Sequence, residues 1–130
     1  MAAPNAVPRH VLEGVIGIAQ ISTANTNRDG TGTIGTVATA GAQGTLIELI
    51  RVKATGTTTA GMVRLYIHDG ANARLLAEIS VSAATPSATV QTFEDELTPT
   101  TPLVLPSGYS LRASTHNAET FNVFAVGGHY

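Results

Sequence analysis

Near the middle of the chain, His68 and Asp69 stand side by side in VRLYIHDGANARLLAEISV. An imidazole next to a carboxylate can begin a general-base pair or a metal site. The neighbouring residues argue for something plainer. Asp69-Gly70 lies between two runs of alternating apolar residues, the strongest short-range hairpin signal. Asp69 is expected to bond the turn backbone, Gly70 to supply a positive φ, and His68 to end its strand on the outward side.

The remaining candidates weaken in the same way. His10, His116 and His129 are the other histidines. None stands at the H-x-H or H-x-x-x-H spacing that puts two ligands on one strand or helix face. Gly30-Thr-Gly-Thr-Ile-Gly35 matches G-x-G-x-x-G. That fingerprint cradles a phosphate only between a buried strand and a helix N-terminus, and GTVATAGAQG is a poor helix. Glu94, Asp95 and Glu96 alternate in direction along a strand and have no glycine nearby to build a calcium loop. They read as a solvated edge that discourages unwanted pairing. There is no G-x-S-x-G, no cysteine and a single lysine, Lys53, so the usual nucleophiles are few. The expectation is a protein that is not an enzyme, with no catalytic residue, no metal and no cofactor.

The elements around these residues are β throughout. TLIELIRVKAT has period two, placing Leu46, Glu48, Ile50 and Val52 on one face and Ile47, Leu49, Arg51 and Lys53 on the other. MVRLYIH turns Val63, Leu65 and Ile67 inward and Arg64, Tyr66 and His68 outward. RLLAEISVS returns with Leu75, Ala77, Ile79 and Val81 in alternation. A short helix there is the lesser alternative, since β-branched residues end the run. GVIGIAQIST, YSLRAST and TFNVFAVGG add further strands, the last with Phe121, Val123 and Ala125 on one side and Phe124 and Val126 on the other. TPTTPLVLPSG is too rich in proline for a central strand. About eight short strands with regular turns predict an all-β, antiparallel β-sandwich, a jelly roll or related Greek key. A chain of 130 residues suits one such domain, 14–130, preceded by an extended arm over 1–13 that Pro4 and Pro8 stiffen.

Charge is sparse. Asp, Glu, Lys and Arg make up 12% of residues, about half the usual share, while threonine occupies 19 positions. The net charge is −2 and no basic run occurs, so no nucleic-acid partner is expected. No long apolar stretch or basic-then-apolar leader is present, so neither a membrane span nor a signal peptide is expected. Low charge suits a surface covered by neighbours, because interface cores are depleted in charge.

The segments ATGTTTAGMVRLYIHDGANARLLAEISV and LPSGYSLRASTHNAETFNVFAVGGHY resemble a family of small proteins encoded among the structural genes of tailed phages and prophages. The resemblance covers about residues 20–130, and TTAGMVRLYIHDG and LRASTHNAETFNV are its most specific parts. In architecture the chain is also similar to jelly-roll cement proteins that sit on the capsid shell of some short-tailed phages. The resemblance implies a virion component assembled in the bacterial host cytoplasm, a capsid decoration or cement protein that stabilises the head. Its partners would be the major capsid protein or another virion protein, and its own copies in a dimer or trimer. The alternative is a tail or fibre-associated module that binds a host glycan or another virion protein. Partner contacts are expected at Pro4, Pro8 and Arg9 of the arm and at Tyr66, the outward aromatic.

Overall fold

The computed structural model describes residues 11–130. Pro4, Pro8 and Arg9 lie outside the described residues. Nine strands and no helix are present among those described. They are β1 (Glu13–Ile21), β2 (Gly35–Thr39), β3 (Thr45–Ala54), β4 (Gly61–His68), β5 (Ala73–Val81), β6 (Glu94–Leu97), β7 (Leu103–Leu105), β8 (Ser110–Thr115) and β9 (Phe121–His129). The run at residues 73–81 is thus a strand, as its β-branched end predicts.

All strand pairs are antiparallel, in two sheets. One sheet has the order β1-β9-β3-β6, with β7 also on β3; the other has the order β2-β8-β4-β5. Pairing is nested: β1 with β9, β2 with β8, β3 with β6 and β7, β4 with β5. The count exceeds eight because one edge is split. Glu94–Leu97 pairs with Ile50–Lys53, and Leu103–Leu105 pairs with Thr45–Ile47. Between them Pro99 and Pro102 cannot donate to a ladder.

The core lies between the sheets. Ile47, Ile50, Val52, Phe121 and Val123 meet Val37, Val63, Leu65, Ile79 and Leu111, and all are buried. Phe93 packs edge-on against Phe121, with ring centroids 6.4 Å apart. Gly17 lets the sheets close at one side. A Cβ there would stand 2.4 Å from the Val37 carbonyl oxygen.

Three register shifts interrupt the ladders, in β2, β3 and β5, and the last two correct the simple alternation. β3 shifts register against β9 between Ile47 and Leu49. Ile47 therefore joins the core cluster between the sheets, Leu46 is buried outside that cluster, and Glu48 is exposed. β5 shifts against β4 where Leu65 pairs with Ala77 but Tyr66 with Leu75. Ala77, Ile79 and Val81 keep the inward phase, whereas Leu75 and Leu76 are 37% and 44% exposed. An extra residue in one strand reverses every face beyond it.

Candidate interaction face

The His68–Asp69 turn forms as its sequence dictates. Asp69 Oδ1 accepts from the Ala71 and Asn72 amides at 3.0 and 2.8 Å, and Gly70 has φ = +98°. These amides hold the Asp69 carboxyl below the usual carboxylate range. The Gly70 amide donates to His68 Nδ1 at 3.0 Å, so this pair is spent on the turn. His116 meets Arg64 through Nδ1, and His129 meets Thr45 Oγ1. Among the described residues no cluster of His, Asp and Glu is placed to hold a metal ion. The glycine run ending at Gly35 leads into β2, a strand, and not into a helix.

Tyr66 lies on the predicted face of β4, but it is not exposed. The segment Ser22–Ile34 folds back across the β4 and β8 part of the outer face of the β2-β8-β4-β5 sheet and encloses Tyr66. The Asn25 amide donates to the Thr115 carbonyl at 2.8 Å, and Tyr66 Oη donates to the Asn27 carbonyl at 2.9 Å. Arg64, 1% exposed, is the hub beneath this flap. Its Nε donates to Glu78 at 2.9 Å and its Nη1 to the Asn25 carbonyl at 3.2 Å. Arg28 on the flap reaches the same Glu78 oxygen at 2.8 Å. The Arg28 hydrogen bond above all, with Arg64 adding to it, holds the Glu78 carboxyl below the usual carboxylate range against the opposing effect of desolvation. A buried arginine bonded to a carboxylate and a carbonyl is a fastener, and Tyr66 is 0% exposed, with no ring face for a partner.

The opposite sheet carries no such flap among the described residues, and its outer face is apolar over half its width. Ile16 and Ile18 are 65% and 61% exposed. Registration sets Ile16 beside Val126 and Leu49, and Ile18 beside Phe124 and Arg51. Those five apolar side chains form one block. A polar row bounds it at one end, where Gln20 donates to Asn122 at 3.0 Å. A charge ladder bounds it on the side, where Arg51 pairs with Glu94 and Glu96, and Lys53 with Glu94. An apolar centre with a polar rim is the anatomy of a protein interface. Exposed sheet faces of antiparallel proteins are ordinarily polar. Sequence reasoning missed this block, although one signal was present. Ile16 and Ile18 run in phase with Gly14 and Gln20, and out of phase with the buried Ala19 and Ile21.

The Glu94–Asp95–Glu96 run does form an edge, as expected, and its outward carboxylates complete that ladder. A cleft of about 250 Å³ near the turn is lined by Asp29, His68, Arg74 and Arg112 among others. Asp29 is held below the usual carboxylate range by the Thr31 hydroxyl and amide, so the lining is of mixed sign.

No family model matches the chain, and no curated protein does either. Two crystal structures of a pentameric capsid protein isolated from metagenomic phage sequences are similar to it at 16% identity and a TM-score of 0.39. The matches cover 87% of this chain but only 62% and 61% of those chains. Similarity at this level fixes no role for this protein.

Proposed function

We propose that the protein is a structural component of a tailed-phage virion, a capsid decoration or cement protein that binds the head shell and stabilises it. The nested strand pairing of this β-sandwich supports reading it as a jelly roll, in which successive pairs wrap around one another. The observation that carries the reading is the block of Ile16, Ile18, Leu49, Phe124 and Val126, uncovered on one outer face, whereas Arg64, Tyr66 and Ser114 at the centre of the other are enclosed. The likeness of TTAGMVRLYIHDG and LRASTHNAETFNV to phage structural proteins supports the same role. A cement protein needs little affinity per copy, because multivalent contact over a repeating shell converts weak docking into firm attachment. The apolar face would sit on the major capsid protein, and the charge ladder would fix its orientation. The glycan-binding alternative rested on Tyr66 as an exposed aromatic, and that ring is enclosed.

The test is cosedimentation of the purified protein with phage heads that lack it, alongside intact host cells. Saturable binding to heads at a fixed ratio, lost with Val126→Lys, is expected. Binding to cells and not to heads would overturn the reading and make the chain a receptor-binding piece.

A further inference from the structure

We propose that β1 is a pairing edge for a second copy of this chain, joining two β1-β9-β3-β6 sheets into one across a two-fold axis at Gly17. A free sheet edge presents unpaired amides and carbonyls, and proteins guard such edges with brevity, charge, proline or bulges. Every other sheet edge among the described residues is guarded. β6 has four residues, three of them exposed acids. β7 has three residues, bounded by Pro102 and Pro106. β2 and β5 each carry a register shift.

β1 has none of these guards. Its nine residues, EGVIGIAQI, include no proline and one charge, Glu13, at the very start. Its ladder with β9 runs from Glu13 to Ile21 without a break, so the strand is regular along its length. Among the described residues its other side has no strand partner.

The sequence about Gly17 says what would pair there. Antiparallel pairing of β1 with itself, centred on Gly17, puts Ile16 opposite the partner's Ile18 and Ile18 opposite the partner's Ile16. Opposed residues of an antiparallel pair share a face. All four isoleucines therefore lie on the outer face, where they are now exposed. The row Phe124–Ile18 then continues into the partner's Ile16 and the partner's Val126. Two apolar blocks become one, and the contact is self-complementary, as an isologous dimer requires. Cross-strand pairs of β-branched residues are among those that stabilise a sheet. The inference does not rest on the virion reading, since it is read out on free protein.

The experiment is sedimentation equilibrium of the full chain, without heads, using two double variants. The parent is expected to be a dimer. Ile16→Lys/Ile18→Lys and Ile16→Glu/Ile18→Glu each set like charges opposite one another, and each alone is expected to be a folded monomer. The dissociation constant should rise on the order of 100-fold or more. An equimolar mixture of the two variants should dimerise again, because each lysine then faces a glutamate. Circular dichroism checks that both variants keep the parent's β content. A monomeric parent, or variants that dimerise alone as well as the parent does, would overturn the proposal. Val126→Lys, off the edge, separates the two readings: it should abolish head binding and leave the dimer intact.

Discussion

Tyr66→Phe removes one oxygen from the enclosed face of β4 and tests whether the Ser22–Ile34 flap is truly fastened there. The ring is 0% exposed, and its hydroxyl donates to the Asn27 carbonyl at 2.9 Å. The Ser114 hydroxyl points back at it from 3.5 Å, at the limit of a useful bond. The variant keeps the ring, so no cavity forms and only polar satisfaction changes. A buried group left unpaired costs about 1–3 kcal/mol. Asn27 is itself exposed, so its carbonyl can recover a water, whereas Ser114 is 1% exposed and cannot. The cost therefore falls toward the lower end, about 1–1.5 kcal/mol, or roughly 3–6 °C in Tm for a domain of this size. The assay is thermal unfolding followed by circular dichroism, with hydrogen exchange of the flap amides. Exchange should quicken over Thr26–Gly32 and stay unchanged in β3 and β9. A hydroxyl in free solvent would give a change within about 0.5 kcal/mol. That result, with unaltered flap exchange, would refute the enclosure of Tyr66 and restore it as a contact residue.

Other substitutions and acid should act on the fold in the following ways. Gly70→Ala forces an L side chain into φ = +98° and should cost roughly 1–2 kcal/mol, read as a lower urea midpoint. Gly17→Ala drives a methyl against the Val37 carbonyl and should cost about 1–3 kcal/mol by overpacking, measured in the same titration. Acid should destabilise the fold. The carboxyls of Glu78, Asp69 and Asp29 are all held low in the folded chain, so the unfolded chain takes up protons first as pH falls. Their contribution is complete above the ordinary carboxylate range and is lost as pH drops through the lowered folded values. Tm measured from pH 7 down to pH 3 should show this fall, and Glu78→Gln should flatten it. Cross-linking or native mass spectrometry of the Ile16→Lys/Ile18→Lys variant gives an independent view of the β1 edge.

What could be read from the sequence was what neighbouring residues decide among themselves. Asp69 and Gly70 make their turn from bonds within three residues, so the turn was legible. The inward set of β4 and the split faces of β9 were legible for the same reason, because period two needs no distant partner. The bulges at Glu48 and Leu76 were not, since neither position has a residue that demands one. Each is set by the strand alongside. Tyr66 shows the limit most plainly. Its face follows from counting, but its burial follows from a flap some forty positions earlier in the chain. Ile16 and Ile18 show the reverse case: alternation in GVIGIAQIST leaves the inward phase open, and only the sheet order shows which phase faces out.

The nesting that pairs β1 with β9 has a consequence for how the molecule is made. The ladder of β1, the first strand made, cannot close until β9 has left the ribosome. Synthesis proceeds at about 5–20 residues per second, so that wait is roughly 5–20 s for the hundred or so residues between them. Throughout it VIGIAQI has open amides along both sides and no charge within it, which is the composition of an aggregation-prone segment. Pairing over such a separation in sequence is also intrinsically slow. The yield of folded protein should therefore depend on expression rate and temperature far more than its final stability would indicate, with slow, cool synthesis recovering chains that rapid synthesis loses.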